Sequence, residues 1–334
     1  MKKILLILTG GTIGSRIDNE GHIAPVGKPL LLEVCKEWNS VHFDVLEPFN
    51  VLSENMTLNH RETLIKEILK VNTEGYDGII IAHGSDTLTY TASLLAMALR
   101  HIDIPIVFIA SDYVLSDPRS NGPDNFDSAV TLICNSEIQR GAFICYKNHL
   151  GENTVYLATR LCSAEPFTDC FHPFDNISFG KTEDRKFIYN PHELNPSISD
   201  INTPKEPIIK EDFSLSECVA MVYSSPAFDY NRFDILNLSA VLNYGYHCGT
   251  VNESQFLNLA KRCLENRVDV WLASFKDENA PIYESLCEIL KQQNVDRLYN
   301  LSGEAAYSKL LLAYSVDKIL VKENLFYENV KPSA

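Results

Sequence analysis

Short apolar runs alternate with segments of helical period along most of this 334-residue chain, and that alternation constrains the fold more than any other feature. It is the signature of β-α-β units, which assemble a mostly parallel sheet with helices on its faces. In the first half the strand candidates are residues 3–8, 78–82, 105–110 and 142–146. Each has few polar residues, as strands covered on both faces do. Residues 60–70 carry Leu64, Ile65 and Ile68 at helical spacing, and 87–99 carry Leu88, Leu94, Leu95, Ala98 and Leu99. From about residue 190 to 213 the chain turns proline-rich, polar and aperiodic, which reads as a linker with one extended strand. The alternation then resumes, with strands expected at 218–223, 236–243 and 268–275 and helices at 256–265, 281–292 and 304–314. A chain this long exceeds what one hydrophobic core supports. The expectation is two α/β domains: a larger N-terminal one over 1–190, a linker over 191–213 and a smaller C-terminal one over 214–334.

Composition narrows the function classes. A formal net charge of −15, with no dense Lys/Arg cluster, argues against a protein that grips phosphate backbones, so nucleic acid is not an expected partner. The opening Met1-Lys2-Lys3-Ile4-Leu5-Leu6-Ile7-Leu8 imitates a secretory signal, but the apolar run is too short and Thr9-Gly10-Gly11 ends it without a small-residue cleavage pattern. A buried first strand explains it better. No apolar stretch approaches the roughly 20 residues of a membrane helix. Nine cysteines, scattered singly with no C-x-x-C, fit reduced thiols in a cytoplasmic protein.

Two places suggest chemistry, and both are where a strand runs into a turn, the usual position of ligands in open α/β sheets. The first is Leu8-Thr9-Gly10-Gly11-Thr12-Ile13-Gly14-Ser15. Paired glycines allow a sharp turn and close backbone approach. Thr12 could then offer a hydroxyl beside free backbone amides, which acyl transfer requires. A plain Gly-rich turn or a phosphate cradle are the alternatives, and the spacing does not match a dinucleotide fingerprint. The second is His83-Gly84-Ser85-Asp86-Thr87-Leu88. Ser85 and Asp86 stand where a helix begins, so helix capping competes with a role for Asp86 in holding a substrate ammonium.

Taken as an ordered pair, these segments resemble the signature of the bacterial-type L-asparaginase/glutaminase family, closer to its cytoplasmic type I members. The resemblance extends to Ser53-Glu54-Asn55-Met56-Thr57, to Tyr90-Thr91-Ala92, to Arg119-Ser120-Asn121-Gly122, and to Glu304-Ala305-Ala306 with Lys309-Leu310. It implies hydrolysis of L-asparagine to L-aspartate and ammonia, with no metal or organic cofactor. By position, Thr12 is the nucleophile that forms an acyl-enzyme, and Ser85 stands for a second catalytic threonine. Asp86 is a relay member that also holds the substrate ammonium. Ser53 and Glu54 match residues at the substrate carboxylate, and Gly11 and Gly84 complete the expected substrate-binding set. Homodimers or homotetramers are implied.

Three departures stand out. The family's relay lysine has no counterpart, since no lysine lies between Lys147 and Lys181. Either Arg160 takes the place, or Arg160 matches a structural arginine and Cys162 or Ser163 fills it; the second register is preferred. An arginine keeps its proton where a desolvated lysine can exchange one. Where the family has a tyrosine that helps activate the nucleophile, this chain has His22, a competent base near neutral pH. Where many members have Gly-x-Gly-Asn, it reads Tyr244-Gly245-Tyr246-His247-Cys248-Gly249, taken as a divergent loop that alters substrate preference. The expectation is therefore an asparaginase, slow or with a shifted range. The alternatives are a weakened homologue that binds an amino acid, an amidase acting on glutamine or another small amide, and an amidotransferase subunit. The last is expected to carry an additional N-terminal domain and a tRNA-contacting surface, which this acidic sequence does not suggest.

Overall fold

The computed structural model describes all residues except 27–29, 36–37, 150, 211, 276–277 and 331–334. It forms two α/β units, Met1–Asp212 and Phe213–Ala334. Starting at the N-terminus, the elements of the first are β1 (Lys2–Leu8), β2 (Ser15–Ile17), β3 (Ile23–Pro25), α1 (Leu30–Val34), β4 (Val41–Leu46), α2 (Leu58–Leu69), β5 (Gly78–Ala82), α3 (Leu88–Ala98), β6 (Pro105–Ile109) and α4 (Gly122–Cys134). There follow β7 (Gly141–Lys147), β8 (Asn153–Leu157), β9 (Leu161–Cys162), β10 (His172–Pro173), β11 (Gly180–Glu183), β12 (Lys186–Tyr189) and α5 (Ile198–Asn202).

Eight of these strands form one sheet in the order β12-β11-β8-β7-β6-β5-β1-β4. From β4 to β7 all neighbours are parallel, and the β7–β8–β11–β12 edge is antiparallel. The apolar runs foreseen in the sequence sit in the middle. Every residue of β5 and β6 is buried, because helices cover both faces. Gly78 in β5 packs against α4: a Cβ there would meet the Ile133 side chain at 2.8 Å. Helix α3 is buried nearly all round, and its polar residues are satisfied internally. Thr91 accepts from the Arg61 guanidinium at 3.3 Å, and Ser93 donates to the Ala158 carbonyl at 3.1 Å.

The second unit contains β13 (Val219–Tyr223), β14 (Ala240–Tyr244), α6 (Glu253–Glu265), β15 (Asp269–Phe275), α7 (Glu284–Cys287), β16 (Val295–Tyr299) and α8 (Gly303–Ser315). Its four strands run parallel in sequential order. Val241, Val270, Leu272, Phe256, Leu259 and Cys263 sit in its core. A buried ion pair, Lys309 Nζ to Glu328 at 2.9 Å, fastens the segment beyond α8, and Glu328 also accepts from the backbone N–H of Leu325 and Phe326.

The outline expected from the sequence, a large mostly parallel sheet flanked by helices plus a smaller parallel unit, is what is found. Details differ. The segment expected as a linker lies against the first unit up to Asp212, with Ile201 and Ile209 buried and Asn202 bonded to the Glu137 carbonyl. Instead of an extended strand it holds α5, which starts at a capping box formed by Ser197 and Asp200. The helix expected over 281–292 is reduced to α7, whose N-cap Tyr283 supplies no side-chain bond to hold its first turn. The strand expected from residue 236 begins only at Ala240, after Asn237 in a left-handed turn.

Candidate active site

Strands β5, β1 and β4 are adjacent and parallel, so the loops at their carboxyl ends emerge side by side. The register pairs Leu8 with Ala82, which brings Thr9 and His83 out at the same level. Thr9 locks the junction twice: its N–H and its hydroxyl both donate to the Ala82 carbonyl, at 3.1 and 3.0 Å. The third loop joins through a bridge between Gly10 and Val51, with the Gly11 N–H donating to the Val51 carbonyl at 2.9 Å.

The paired glycines are required here. Gly10 and Gly11 have φ of 104° and 74°, a region that side-chain-bearing residues rarely adopt. A Cβ on Gly10 would fall 2.5 Å from Val51 N, and one on Gly11 would fall 2.5 Å from Gly84 N. The first and second motifs therefore touch, backbone to backbone. The chain then makes one tight 3-10 turn, Thr12–Gly14, closed by a Gly14 N–H bond to Gly11 O at 3.0 Å and by the Ser15 hydroxyl on the same oxygen at 2.7 Å. The first N–H groups of such a turn have no partner within it. Thr12 is half-buried, and its hydroxyl makes no hydrogen bond among the described residues.

Ser85 and Asp86 lie on a second 3-10 turn, Ser85–Thr87, that leads into α3. Neither this turn nor α3 has a side-chain cap bond, so capping does not account for them. Asp86 is exposed, and its carboxylate accepts one long bond, 3.4 Å, from the buried Ser53 hydroxyl. Ser53 opens its own 3-10 turn, Ser53–Asn55, and the Thr87 hydroxyl donates to the Ser53 carbonyl at 3.0 Å. Gly84 lets the two turns meet, for a Cβ there would fall 2.5 Å from the Ser53 Cβ. Glu54 is exposed on the Ser53 turn. The chemistry available is a hydroxyl, N–H groups at a turn, and a carboxylate with spare acceptor capacity at a helix start.

Gly11, Thr12, Ser53, Glu54, Gly84, Ser85 and Asp86 thus fall on three touching loops, whereas the contacts of His22 lie elsewhere. His22 sits at the turn of the β2–β3 hairpin with its side chain 71% exposed, 3.5 Å from Asp18 and 3.7 Å from Glu20. Arg160 is buried and donates to the Leu194 carbonyl at 2.6 Å. Ser163, just beyond β9, shares a 2.9 Å hydroxyl contact with Thr89, one helical turn after Asp86. Among the described residues no group of three or more His, Cys, Asp and Glu side chains is placed to hold a metal. No described helix is long and apolar enough to cross a membrane.

One residue escaped sequence reasoning. His83 is fully buried at the start of the second loop, with Nδ1 2.8 Å from the Gly84 carbonyl and Nε2 without a hydrogen-bond partner among the described residues. A carbonyl can only accept, so Nδ1 carries the proton. Burial, helped by the nearby Arg61 charge, pulls this imidazole down to about 4. Nothing in a loop histidine's sequence context signals that burial.

A family model described as "Asparaginase, N-terminal" matches residues 3–191. Among curated relatives, a glutamyl-tRNA(Gln) amidotransferase subunit of Thermoplasma volcanium is 27% identical over 292 residues, covering 86% of this chain and 66% of that protein. The corresponding protein of Pyrococcus furiosus is 28% identical over 330 residues, covering 92% and 71%. That of Saccharolobus islandicus reaches 36% over 132 residues, covering 39% of this chain and 30% of its own. The chain spans about two thirds of the length of the first two relatives. Among solved structures, the thermostable L-asparaginase of Thermococcus kodakarensis superposes with a TM-score of 0.79 at 20% identity, over 99% of this chain and 100% of that one. The probable cytoplasmic L-asparaginase of Campylobacter jejuni gives 0.75 at 21%, over 98% and 100%. These two asparaginases share its fold. With the family model covering more than half of its length, the chain belongs to the asparaginase family of amidohydrolases.

Proposed function

We propose that this amidohydrolase cleaves the side-chain amide of L-asparagine, releasing L-aspartate and ammonia. The Thr12 oxygen attacks the amide carbon, the C–N bond breaks with loss of ammonia, and water then hydrolyses the aspartyl ester. The observation that carries this reading is the mutual approach of Gly11, Gly84, Ser53 and Asp86 at the ends of three adjacent strands. In it Asp86 receives the substrate ammonium, and Ser53 with Glu54 borders the α-carboxylate end. Ser85 supplies a second hydroxyl, and turn N–H groups receive the oxyanion. Fixing both ends of the zwitterion presents the amide to Thr12. With Cys162 or Ser163 where a relay lysine is expected, and the Ser163 hydroxyl in contact with Thr89, that position offers no amine base, and turnover is slow.

In the same proposal His22, on the β2–β3 hairpin, takes over part of the role of activating Thr12 as a base. A His22→Phe variant with full turnover and an unchanged pH profile removes it from the mechanism. Assembly as a homodimer or homotetramer is part of the same proposal, and light scattering tests it.

A second reading, an amidase directed at glutamine, is favoured by one observation: the relatives with 27–36% identity are named as amidotransferase subunits. One extra methylene changes specificity by only about 1–3 kcal/mol. The deciding experiment is ammonia release across asparagine, glutamine and related amides, with Thr12→Ala as control. Asparagine turnover that Thr12→Ala abolishes supports the first reading, and a preference for glutamine supports the second. Amide turnover that survives Thr12→Ala overturns both.

A further inference from the structure

Two peptide groups at the candidate site are clamped from behind by buried side chains. Gly11 and Gly84 each stand directly before a 3-10 turn, Thr12–Gly14 and Ser85–Thr87. A Cβ on Gly11 would fall 2.3 Å from the Gly84 Cα, so the two turns start side by side. The Gly11 carbonyl accepts the Gly14 N–H at 3.0 Å and the Ser15 hydroxyl at 2.7 Å. A carbonyl oxygen has two lone pairs, so this one is fully engaged and does not swing outward. Ser15 is 1% exposed, which removes water as a competitor for its hydroxyl.

The Gly84 carbonyl has a different clamp. His83 Nδ1 lies 2.8 Å from it, and the His83 N–H donates to the Ile109 carbonyl at 2.9 Å, which ties the residue to the end of β6. Burial pulls the imidazole down to about 4, so the ring stays neutral and Nδ1 remains the donor that a carbonyl requires. In a planar trans peptide the C=O and the next N–H point in opposite directions. Holding the Gly11 and Gly84 oxygens back therefore aims the Thr12 and Ser85 N–H groups the other way, out of the starts of adjacent turns. Neither N–H is bonded among the described residues, as befits the first donor of a turn.

Given the amidase reading on which this rests, we propose that Ser15 and His83 are positioning residues for amide hydrolysis. They fix the Gly11–Thr12 and Gly84–Ser85 peptide planes so that the Thr12 and Ser85 N–H groups together meet the oxyanion. Both side chains are buried, so each acts through the carbonyl it holds and not on the substrate.

Donors fixed in advance need no reorganisation as charge develops on the substrate oxygen, and a peptide free to rock loses that advantage. The cost of releasing a clamp therefore falls on the chemical step and leaves ground-state binding of the amino-acid head almost untouched.

The test compares ammonia release by wild type, Ser15→Ala and His83→Leu on the amide that wild type prefers. Titration with the product acid, L-aspartate or L-glutamate, counts the functional sites in each preparation, so lost protein is not read as lost kcat. Ser15→Ala is expected to lower kcat per site by about tenfold with KM little changed. That is less than the roughly 100-fold of a deleted oxyanion donor, because the Gly14 N–H still holds the same carbonyl. His83→Leu is expected to lose a similar factor. Ser15→Cys and His83→Asn, which keep a donor at Sγ and Nδ2, recover part of the loss. Ser15→Ala removes one atom and needs no repacking, so that arm decides even where His83→Leu fails to fold. Full kcat per site in Ser15→Ala, a loss confined to KM, or no recovery in the donor-keeping variants overturns the proposal and leaves amide hydrolysis standing. A wild-type protein that releases no ammonia from any amide overturns the amidase reading itself, and the proposal falls with it.

Discussion

Replacing Gly84 by alanine tests whether the loops of the proposed active site are held together by close backbone approach. Gly84 has φ −83° and ψ 147°, ordinary extended backbone, so alanine introduces no conformational strain there. Its Cβ, however, falls 2.5 Å from the Ser53 Cβ, where carbon atoms ordinarily approach to about 3.5–4.0 Å. Ser53 must therefore retreat by about 1 Å or more, which breaks its 3.4 Å bond to Asp86. With Ser53 positioning the substrate as proposed, a displacement of that size costs about 100-fold in kcat/KM, or about 2.7 kcal/mol of transition-state stabilisation. The assay is steady-state ammonia release, with thermal denaturation in parallel to bound any overpacking cost at about 1–3 kcal/mol. A control separates crowding from other effects. In a Ser53→Gly background the Ser53 side-chain atoms are gone and the tightest remaining contact is the Gly11 Cα at 3.2 Å, so Gly84→Ala should cost much less there, giving a large coupling in the double-mutant cycle. Wild-type turnover in Gly84→Ala, or strictly additive losses, would refute the packing argument.

Three further outcomes follow from other parts of the molecule. His83 is held near 4 against an ordinary value of 6.5, so the folded state favours the neutral imidazole. Its stabilising contribution is complete above pH 6.5 and is lost as pH falls towards 4, about 3 kcal/mol in all. Denaturant midpoints of His83→Gln, which can still donate to Gly84 O, should fall less over that window than wild type, and parallel curves would contradict this. Lys309→Met leaves Glu328 buried without its cation and should destabilise the second unit by about 3–5 kcal/mol in chemical denaturation, with Lys309→Met/Glu328→Gln recovering part. Ser163→Lys introduces an amine beside Thr89 and should raise kcat about tenfold or more, whereas an unchanged kcat would place the relay elsewhere.

What could be read from the chain in advance follows from where each segment sits. β1, β5 and β6 were legible because strands buried on both faces read as unbroken apolar runs. β4 was not, since Val41-His42-Phe43-Asp44-Val45-Leu46 lies at the sheet edge and mixes charged residues with apolar ones. Nor was α4, whose first turn, Gly122-Pro123-Asp124, looks like a loop although proline is at ease there. The short antiparallel strands β8, β11 and β12 carry too few residues for a period to register. At the site, the two motifs could be seen, but not that Gly11 meets Gly84 or that Ser53 bonds Asp86, because such contacts depend on strand order. The side chains of Arg160 and Ser163 were ambiguous by register alone, and only coordinates assign Arg160 to the Leu194 carbonyl.

The identity of the attacking oxygen decides the mechanism. Rapid acid quench during asparagine turnover, followed by peptide mass spectrometry, should find an aspartyl ester on the peptide that carries Thr12, and none in Thr12→Ala. An ester mapped to Ser85, or ammonia released by Thr12→Ala at the wild-type rate, would contradict it.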